Sequence, residues 1–277
     1  MAPGLYVTGT PIGNLGDLSP RAREVLAQAN VIAAEDTRTT ARLLTRFGLK
    51  TPMIPYHDHN APSVRPKIIQ RLKKGETVAL VSEAGMPLIS DPGYKLVAAA
   101  REAGIPVHSV PGASAVTAAL SVAGIATDRF LFLGFLPARD SARKRALTEA
   151  GAVSATLVVF ESTRRLAATL GLMVAHLGPR EAAVCRELTK KFEEVRRGPL
   201  PDLEAHYRAH PAKGEVVIVV AAGAGETATI SAAYLDRLLR EALQTLSPSR
   251  AAARVAAETG QPRRVVYARA VELGAQS

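Results

Sequence analysis

The sequence predicts an α/β protein with a helical tail, and three observations carry that reading. Short apolar runs alternate with helix-period segments over residues 1–124, and the alternation resumes over 125–230. From 231 onward strand-like runs stop, while leucines recur at helical spacing. A βαβα rhythm implies a mostly parallel sheet with helices on its faces. The expected organisation is therefore an N-terminal α/β domain at 1–124, a second α/β domain at 125–230 and a helical region at 231–277. At 277 residues the chain is long for one core and suits two domains of about 100–150 residues each.

The elements follow in order. Residues 5–9 form a strand, and Ser19, an N-cap residue followed by Pro20, opens a helix running to about 29. A strand at 31–34 precedes a helix at 39–47 that stops at Gly48, then a strand at 53–56, a helix at 63–74 and a strand at 76–81. The helix at 93–103 ends at Gly104, a strand follows at 107–110, and Pro111-Gly112 opens the helix 113–122. The second unit has strands at 130–135, 156–160, 182–186 and 215–221, with helices at 142–150, 164–177 and 202–208. In the tail, Leu235, Leu238, Leu239, Leu243 and Leu246 share a helical face. Pro248-Ser249-Arg250 then leads one short helix, Thr259-Gly260-Gln261-Pro262 breaks it, and Arg263 leads another, in the outline of a helix-turn-helix.

Composition narrows the function. Hydrophobic residues at 47% and charged residues at 22% are ordinary for a soluble globular chain. There is no tryptophan and aromatics reach only 4%, so stacking platforms for single-stranded nucleic acid are few. A single cysteine, Cys185, excludes an intrachain disulfide and a cysteine-cluster metal site, and it fits a reducing cytoplasm. The start, Met1 to Val7, has no charged n-region, which argues against a signal peptide, and apolar stretches such as 216–224 are too short to span a bilayer. A cytoplasmic location away from membranes is expected. The net charge of +10 favours an anionic partner, nucleic acid first, with an acidic small molecule or a membrane surface behind it. In the tail Arg237, Arg240, Arg250, Arg254, Arg263, Arg264 and Arg269 outnumber Asp236, Glu241, Glu258 and Glu272, for a net +3. That segment suits RNA; a hairpin packing on the core or on a second subunit is the alternative.

The chemistry concentrates at strand ends. Ser82-Glu83-Ala84-Gly85-Met86-Pro87-Leu88-Ile89-Ser90-Asp91-Pro92-Gly93 follows an apolar run, with prolines fixing the backbone and glycines allowing turns or close approach of a ligand. In open α/β sheets ligands sit outside the carboxyl ends of the strands, where this loop falls; a rigid connector that binds nothing is the competing reading. Thr8-Gly9-Thr10-Pro11-Ile12-Gly13-Asn14 is a second loop of this kind, but it does not fit G-x-G-x-x-G, and no P-loop motif occurs. Ala34-Glu35-Asp36-Thr37-Arg38 places two carboxylates and an arginine after a strand: Asp36 is suited to accept a proton or bind a hydroxyl and Arg38 to grip a phosphate, or Asp36 caps a helix and pairs with Arg38. Tyr56-His57-Asp58-His59-Asn60 lacks the third ligand a metal would need and reads as a polar contact loop or a plain surface loop. Val110-Pro111-Gly112-Ala113-Ser114-Ala115 opens a helix with small residues, which lets a ligand reach its amides or lets helix and sheet pack tightly. Glu161 to Arg165 and Cys185 to Lys191 are charged loops of the second unit, and their charges could equally be solvated ion pairs.

Taken together and in order, 8–14, 34–38, 82–93, 110–115, 132–137 and 186–190 resemble the tetrapyrrole methylase family of S-adenosylmethionine-dependent methyltransferases. The resemblance covers nearly the whole chain and is nearest to members that methylate the ribose 2′-oxygen of a cytidine in 16S rRNA. It implies two α/β domains with the cofactor cleft between them and, usually, a homodimer. It implies cofactor contacts at Pro11, Glu83, Ala84, Gly85, Met86, Pro87, Ser90, Ser114 and Ala115, with Leu188, Glu215 and Val216 closing the adenine side. Gly85-Met86-Pro87 stands where small-molecule methylases of the family often have Gly-Asp-Pro, a departure away from the corrin enzymes. The implied partner is 16S rRNA or the small ribosomal subunit, and methyl transfer from a sulfonium needs no metal. Asp36 is the expected base or hydroxyl acceptor and Arg38 the phosphate or substrate positioner, with His59 and Glu83 in reserve. The rival readings are a tetrapyrrole C-methyltransferase, a diphthamide-synthesis methylase and a non-catalytic RNA-binding factor on the same fold.

Overall fold

The computed structural model describes residues 1–223, 232–259 and 263–274. The expected break at Gly260-Gln261-Pro262 and the expected junction near 230 lie outside the described residues. The chain divides into two compact units, Met1–Ala222 and Gly223–Ser277.

The larger unit contains two five-stranded sheets. The first is built from β1 (Gly4–Thr8), β2 (Val31–Ala34), β3 (Met53–Pro55), β4 (Thr77–Val81) and β5 (Val107–Val110), in the order β3-β2-β4-β1-β5. Every pairing is parallel, with Leu5 beside Val78 and Val107, and Val31 also beside Val78. Its helices are α1 (Pro20–Gln28), α2 (Thr37–Arg46), α3 (Ala61–Lys73), α4 (Tyr94–Glu102) and α5 (Ala115–Val122). Strands β1, β2 and β4 are buried along their whole length, which is why they read as continuous apolar runs. Alternate side chains serve opposite faces: Leu5, Val31, Val78 and Leu80 pack on Ile68, Leu72 and Leu96, whereas Tyr6, Ile32, Ala79 and Val81 pack on Val25, Leu26 and Leu44. The expected cap at Ser19 is present, its hydroxyl accepting from the Ala22 N–H at 3.1 Å.

The second sheet holds β6 (Phe130–Phe135), β7 (Thr156–Ser162), β8 (Glu181–Arg186), β9 (Glu194–Pro199) and β10 (Glu215–Val220), in the order β6-β7-β10-β8-β9. Only β6 and β7 run parallel; β10 is antiparallel to both its neighbours and β9 is antiparallel to β8. Helices α6 (Asp140–Gly151), α7 (Leu166–Leu177) and α8 (Leu200–Ala209) cover one face through Leu147, Leu170, Met173 and Leu203. The other face, with Val158, Ala183, Cys185, Val217 and Val219, packs on Val116, Ala119 and Leu120 of α5. Helix α5 thus follows directly on β5 of the first sheet but packs its buried face on the second. Strand β9 is absent from the sequence reading because it carries one strongly apolar residue, Val195, among Glu194, Arg196, Arg197, Gly198 and Pro199. Charges and proline are how an edge strand avoids pairing with another chain, and they erase the alternation that identifies strands.

In the smaller unit, α9 (Ala232–Leu243), α10 (Pro248–Thr259) and α11 (Arg263–Gly274) close around Leu239, Ala242, Ala252, Val255, Val266 and Leu273. Arg269 bonds both carboxylate oxygens of Asp236, at 2.7 and 2.6 Å, and pairs with Glu272 at 2.7 Å. That arginine, counted in the basic balance of the tail, is engaged in holding α11 to α9. Among the described residues no helix is long and apolar enough to cross a membrane.

Candidate active site

Loops at the carboxyl ends of the first sheet are stitched to one another. The Thr10 N–H donates to the Gly85 carbonyl at 2.9 Å, and the Gly85 N–H returns a bond to Thr10 at 3.1 Å. Gly9 and Gly112 cross so closely that a Cβ on Gly9 would lie 2.7 Å from the Gly112 Cα, so no side chain fits at the crossing. The loop after β4 turns through positive φ at Gly85, Leu88 and Ser90, and the loop after β8 does so at Glu187 and Thr189. Four of these five are not glycine, and unfavourable backbone conformations of this kind gather at ligand-binding loops.

Between these two loops lies a cavity of about 720 Å³, well inside the range of small-molecule sites. Glu83, Ala84, Gly85, Met86, Ser90, Ser114 and Ala115 line it from the first sheet, and Leu188, Glu215 and Val216 line it from the second. Ten of the expected cofactor positions therefore share one cavity. Pro11 lines an adjoining cavity of about 320 Å³; Pro87 is buried within its loop and lines neither. Asp36, Arg38 and His59 also line neither cavity.

Asp36 caps α2, accepting from the Arg38 N–H at 2.7 Å, and its carboxylate pairs with the Arg38 guanidinium at 2.8 Å. That side-chain bond, reinforced by the backbone N–H, holds the Asp36 carboxyl down at about 2. His59 is exposed and meets His57 edge-on at 6.0 Å between ring centres. Among the described residues no group of three His, Cys, Asp or Glu is arranged to hold a metal ion.

The structure adds residues the sequence reading did not name as site residues. Glu35, the other carboxylate of the motif after β2, lines neither cavity and accepts from the Glu83 N–H at 3.4 Å. Burial, and next the neighbouring Asp91, raises its carboxyl to about 7. Asp91 lines the cavity and is itself raised by burial. On the second sheet, Glu161, Ser162, Thr163 and Arg164 form part of the wall. The Glu161 side chain is 1% exposed. It accepts from the Thr169 hydroxyl at 2.6 Å and the Ser162 N–H at 2.7 Å, and it pairs with Arg165 at 3.3 Å. Arg143, also buried, donates to the same Thr169 hydroxyl at 3.1 Å. A buried charge needs such partners, and the network holds the 162–164 segment against the cavity. Its signal in the sequence, charges clustered after a strand, is indistinguishable from a solvated loop.

Comparison with known proteins shows the family and the fold. The family described as Tetrapyrrole (Corrin/Porphyrin) Methylases matches residues 4–204, and the RsmI C-terminal HTH domain matches residues 228–274. A protein of Mesorhizobium japonicum named ribosomal RNA small subunit methyltransferase I is 47% identical over 275 residues, covering 99% of this chain and 93% of its own. One of the same name from Xylella fastidiosa (strain Temecula1) is 47% identical, covering 96% and 98%. The solved structure of a diphthine synthase shares the fold with a TM-score of 0.61 at 18% identity, covering 78% of this chain and 89% of that one. A uroporphyrin-III C-methyl transferase from Thermus thermophilus, complexed with S-adenyl homocysteine, shares it at 0.55 and 20%, covering 78% and 96%. The chain belongs to the tetrapyrrole methylase family, and within it to the group of the ribosomal RNA small subunit methyltransferase I proteins.

Proposed function

We propose that this chain methylates the ribose 2′-oxygen of a cytidine in 16S rRNA of the small ribosomal subunit, using S-adenosylmethionine. The observation that carries the reading is the cavity walled by small residues of one sheet and apolar residues of the other, in a chain whose full-length relatives are named as rRNA methyltransferases. The supporting parts are an N-terminal α/β domain at 1–124, a second at 125–230 and a basic helical tail at 231–277 that holds RNA. The working form is a cytoplasmic homodimer.

The residues fit the cofactor. Ala84, Gly85 and Ala115 let its polar chain approach the backbone, and Ser114 at the start of α5 makes no capping bond with its side chain, leaving the helix amides for a carboxylate. Leu188, Val216 and Val217 offer an apolar wall to adenine, and Glu83 and Asp91 suit the cationic groups. When bound, S-adenosylmethionine supplies a methyl group already activated on a sulfonium. The protein then has to align the target oxygen and take its proton.

Glu35 lines neither cavity but accepts from the N–H of Glu83, which lines both, and, held at about 7 and so half-ionised near neutral pH, it is the carboxylate assigned to that proton. Asp36, held at about 2, is a feeble acceptor, and its part is to set α2 and orient Arg38 toward substrate phosphate. The test offers labelled S-adenosylmethionine with small ribosomal subunits from cells lacking this protein, and in parallel with a tetrapyrrole. Label in RNA supports the reading; label in the tetrapyrrole alone overturns it.

A further inference from the structure

The adjoining cavity of about 320 Å³ is separate from the larger one yet shares Ile12, Glu83, Ala84 and Glu215 with it. It is at the small end of ligand pockets, of a size for one nucleoside rather than a cofactor. Its lining is mainly apolar, with Pro11, Ile12, Leu15 and Leu43 offering a face to a base, and a few polar groups stand among them. Thr39 brings a hydroxyl and Glu83 a carboxylate able to accept from an exocyclic amine, while the buried hydroxyls of Thr10 and Ser82 donate to the carbonyls of Gly85 and Ala84.

The charges around it are unevenly used. On one side Lys190 is engaged, bonding Glu187 at 2.9 Å and Glu215 at 3.0 Å. On the other side stands α2, which buries Thr40 and Leu44 and contains no acidic residue. Its outer face carries Arg38, Arg42 and Arg46, all exposed and four residues apart, hence about 6 Å apart along the axis. Arg38 is held by Asp36. Arg42, which lines the small cavity, and Arg46 pair with no carboxylate among the described residues. Two unpaired guanidinium groups about one helical turn apart, the first of them lining a nucleoside-sized pocket, match a single strand of nucleic acid, one phosphate to each.

We infer that the small cavity receives the target nucleoside, with its 2′-hydroxyl toward the wall shared with the larger cavity, and that Arg42 and Arg46 hold the phosphates of the same RNA strand. The inference rests on the reading of the larger cavity as the cofactor site. It also accounts for the parallel use of two surfaces: α2 guides the strand at the reaction centre, while the tail supplies affinity elsewhere on the RNA.

The test uses the full chain and a short fluorescein-labelled oligocytidylate read by anisotropy, beside methyl transfer to small subunits and calorimetric binding of S-adenosylmethionine. Arg42→Ala/Arg46→Ala is expected to weaken oligocytidylate binding about tenfold and to flatten the slope of log Kd against log salt by about 1.4, two contacts at about 0.7 each. Cofactor affinity stays within about twofold. Thr39→Trp, which fills the small cavity, is expected to abolish most methyl transfer while cofactor affinity is retained. Oligocytidylate affinity and salt slope unchanged in the double variant, with the parent still methylating RNA, overturn the inference and leave the proposed function standing. Loss of binding in the double variant, with a parent that binds oligocytidylate yet methylates no RNA, supports the docking face and removes the proposed function instead.

Discussion

Replacing Glu35 with glutamine separates the carboxylate's charge from its shape. Glu35 is half-buried behind Glu83, with Asp91, Glu83 and Asp58 as its acidic neighbours and one N–H, from Glu83, supporting its charge. Burial and then Asp91 move its carboxyl from 4.5 to about 7. At about 1.36 kcal/mol per unit the shift corresponds to about 3.4 kcal/mol, an upper bound. Solvent screening at the exposed half of the group brings this to about 1–2 kcal/mol.

The sign follows from linkage. Below 4.5 Glu35 is protonated both folded and unfolded and costs nothing. As pH rises through about 7 the folded protein must carry a partly desolvated charge beside other carboxylates, and stability is lost. Glu35→Gln is therefore expected to melt with the parent at pH 4 and above it at pH 8. The gain is about 2–8 °C, taking about 2–4 °C per kcal/mol for a chain of this size. Methyl transfer at pH 8 moves the other way, falling by about 100-fold or more if Glu35 takes the proton. Circular-dichroism melts at both pH values and a transfer assay read the two effects separately. A variant with the parent's Tm at pH 8 and the parent's turnover refutes both the buried-charge argument and the catalytic one.

Four further outcomes are expected. Asp36→Ala removes the α2 cap and frees Arg38, so methyl transfer falls while cofactor binding by calorimetry is largely spared. Because the Asp36 carboxyl is held low by Arg38, its stabilisation is present above 3.8 and lost as pH falls through about 2, and the deficit in Tm of the variant should fade over that window. Gly9→Ala drives a Cβ into the backbone of Gly112, which cannot swing away, and should cost about 1–3 kcal/mol in denaturant unfolding and weaken cofactor binding. Gly198→Ala, with nothing within 4 Å of its new carbon, should change stability by no more than about 0.5 kcal/mol. Cys185, buried and with its thiol pushed up to about 11 by that burial, should resist a thiol reagent at pH 8 until the chain is unfolded; rapid labelling of the native protein contradicts this.

The first sheet was legible because its three central strands, β1, β2 and β4, are buried on both faces and its elements are bounded by glycine, proline and capping residues, as at Ser19 and Gly48. The second sheet was legible only where burial continued; β9 hides its pairing behind charges on an edge. The loops that line the larger cavity could be singled out because the segments 82–93 and 110–115 each follow a strand end and occur in order with the other motifs, although either loop alone reads equally well as a plain connector. The proton chemistry could not. Glu35 and Asp36 are neighbours in sequence, and nothing in their spacing says which is desolvated and which is neutralised by an arginine. That difference arises from the fold, which brings Asp91 and the Glu83 amide to one carboxylate and leaves the other at a helix end. Glu161 illustrates the same limit: its partner Thr169 comes from α7, the Arg143 that donates to that threonine comes from α6, and only packing brings the three together.

The most direct test of the account is the chemical identity of the product. Small subunits from cells lacking this protein, incubated with it and labelled S-adenosylmethionine, are digested to nucleosides and resolved by mass spectrometry. The account expects the label in a single 2′-O-methylcytidine. A labelled base, or no labelled nucleoside from a protein that binds the cofactor, contradicts it.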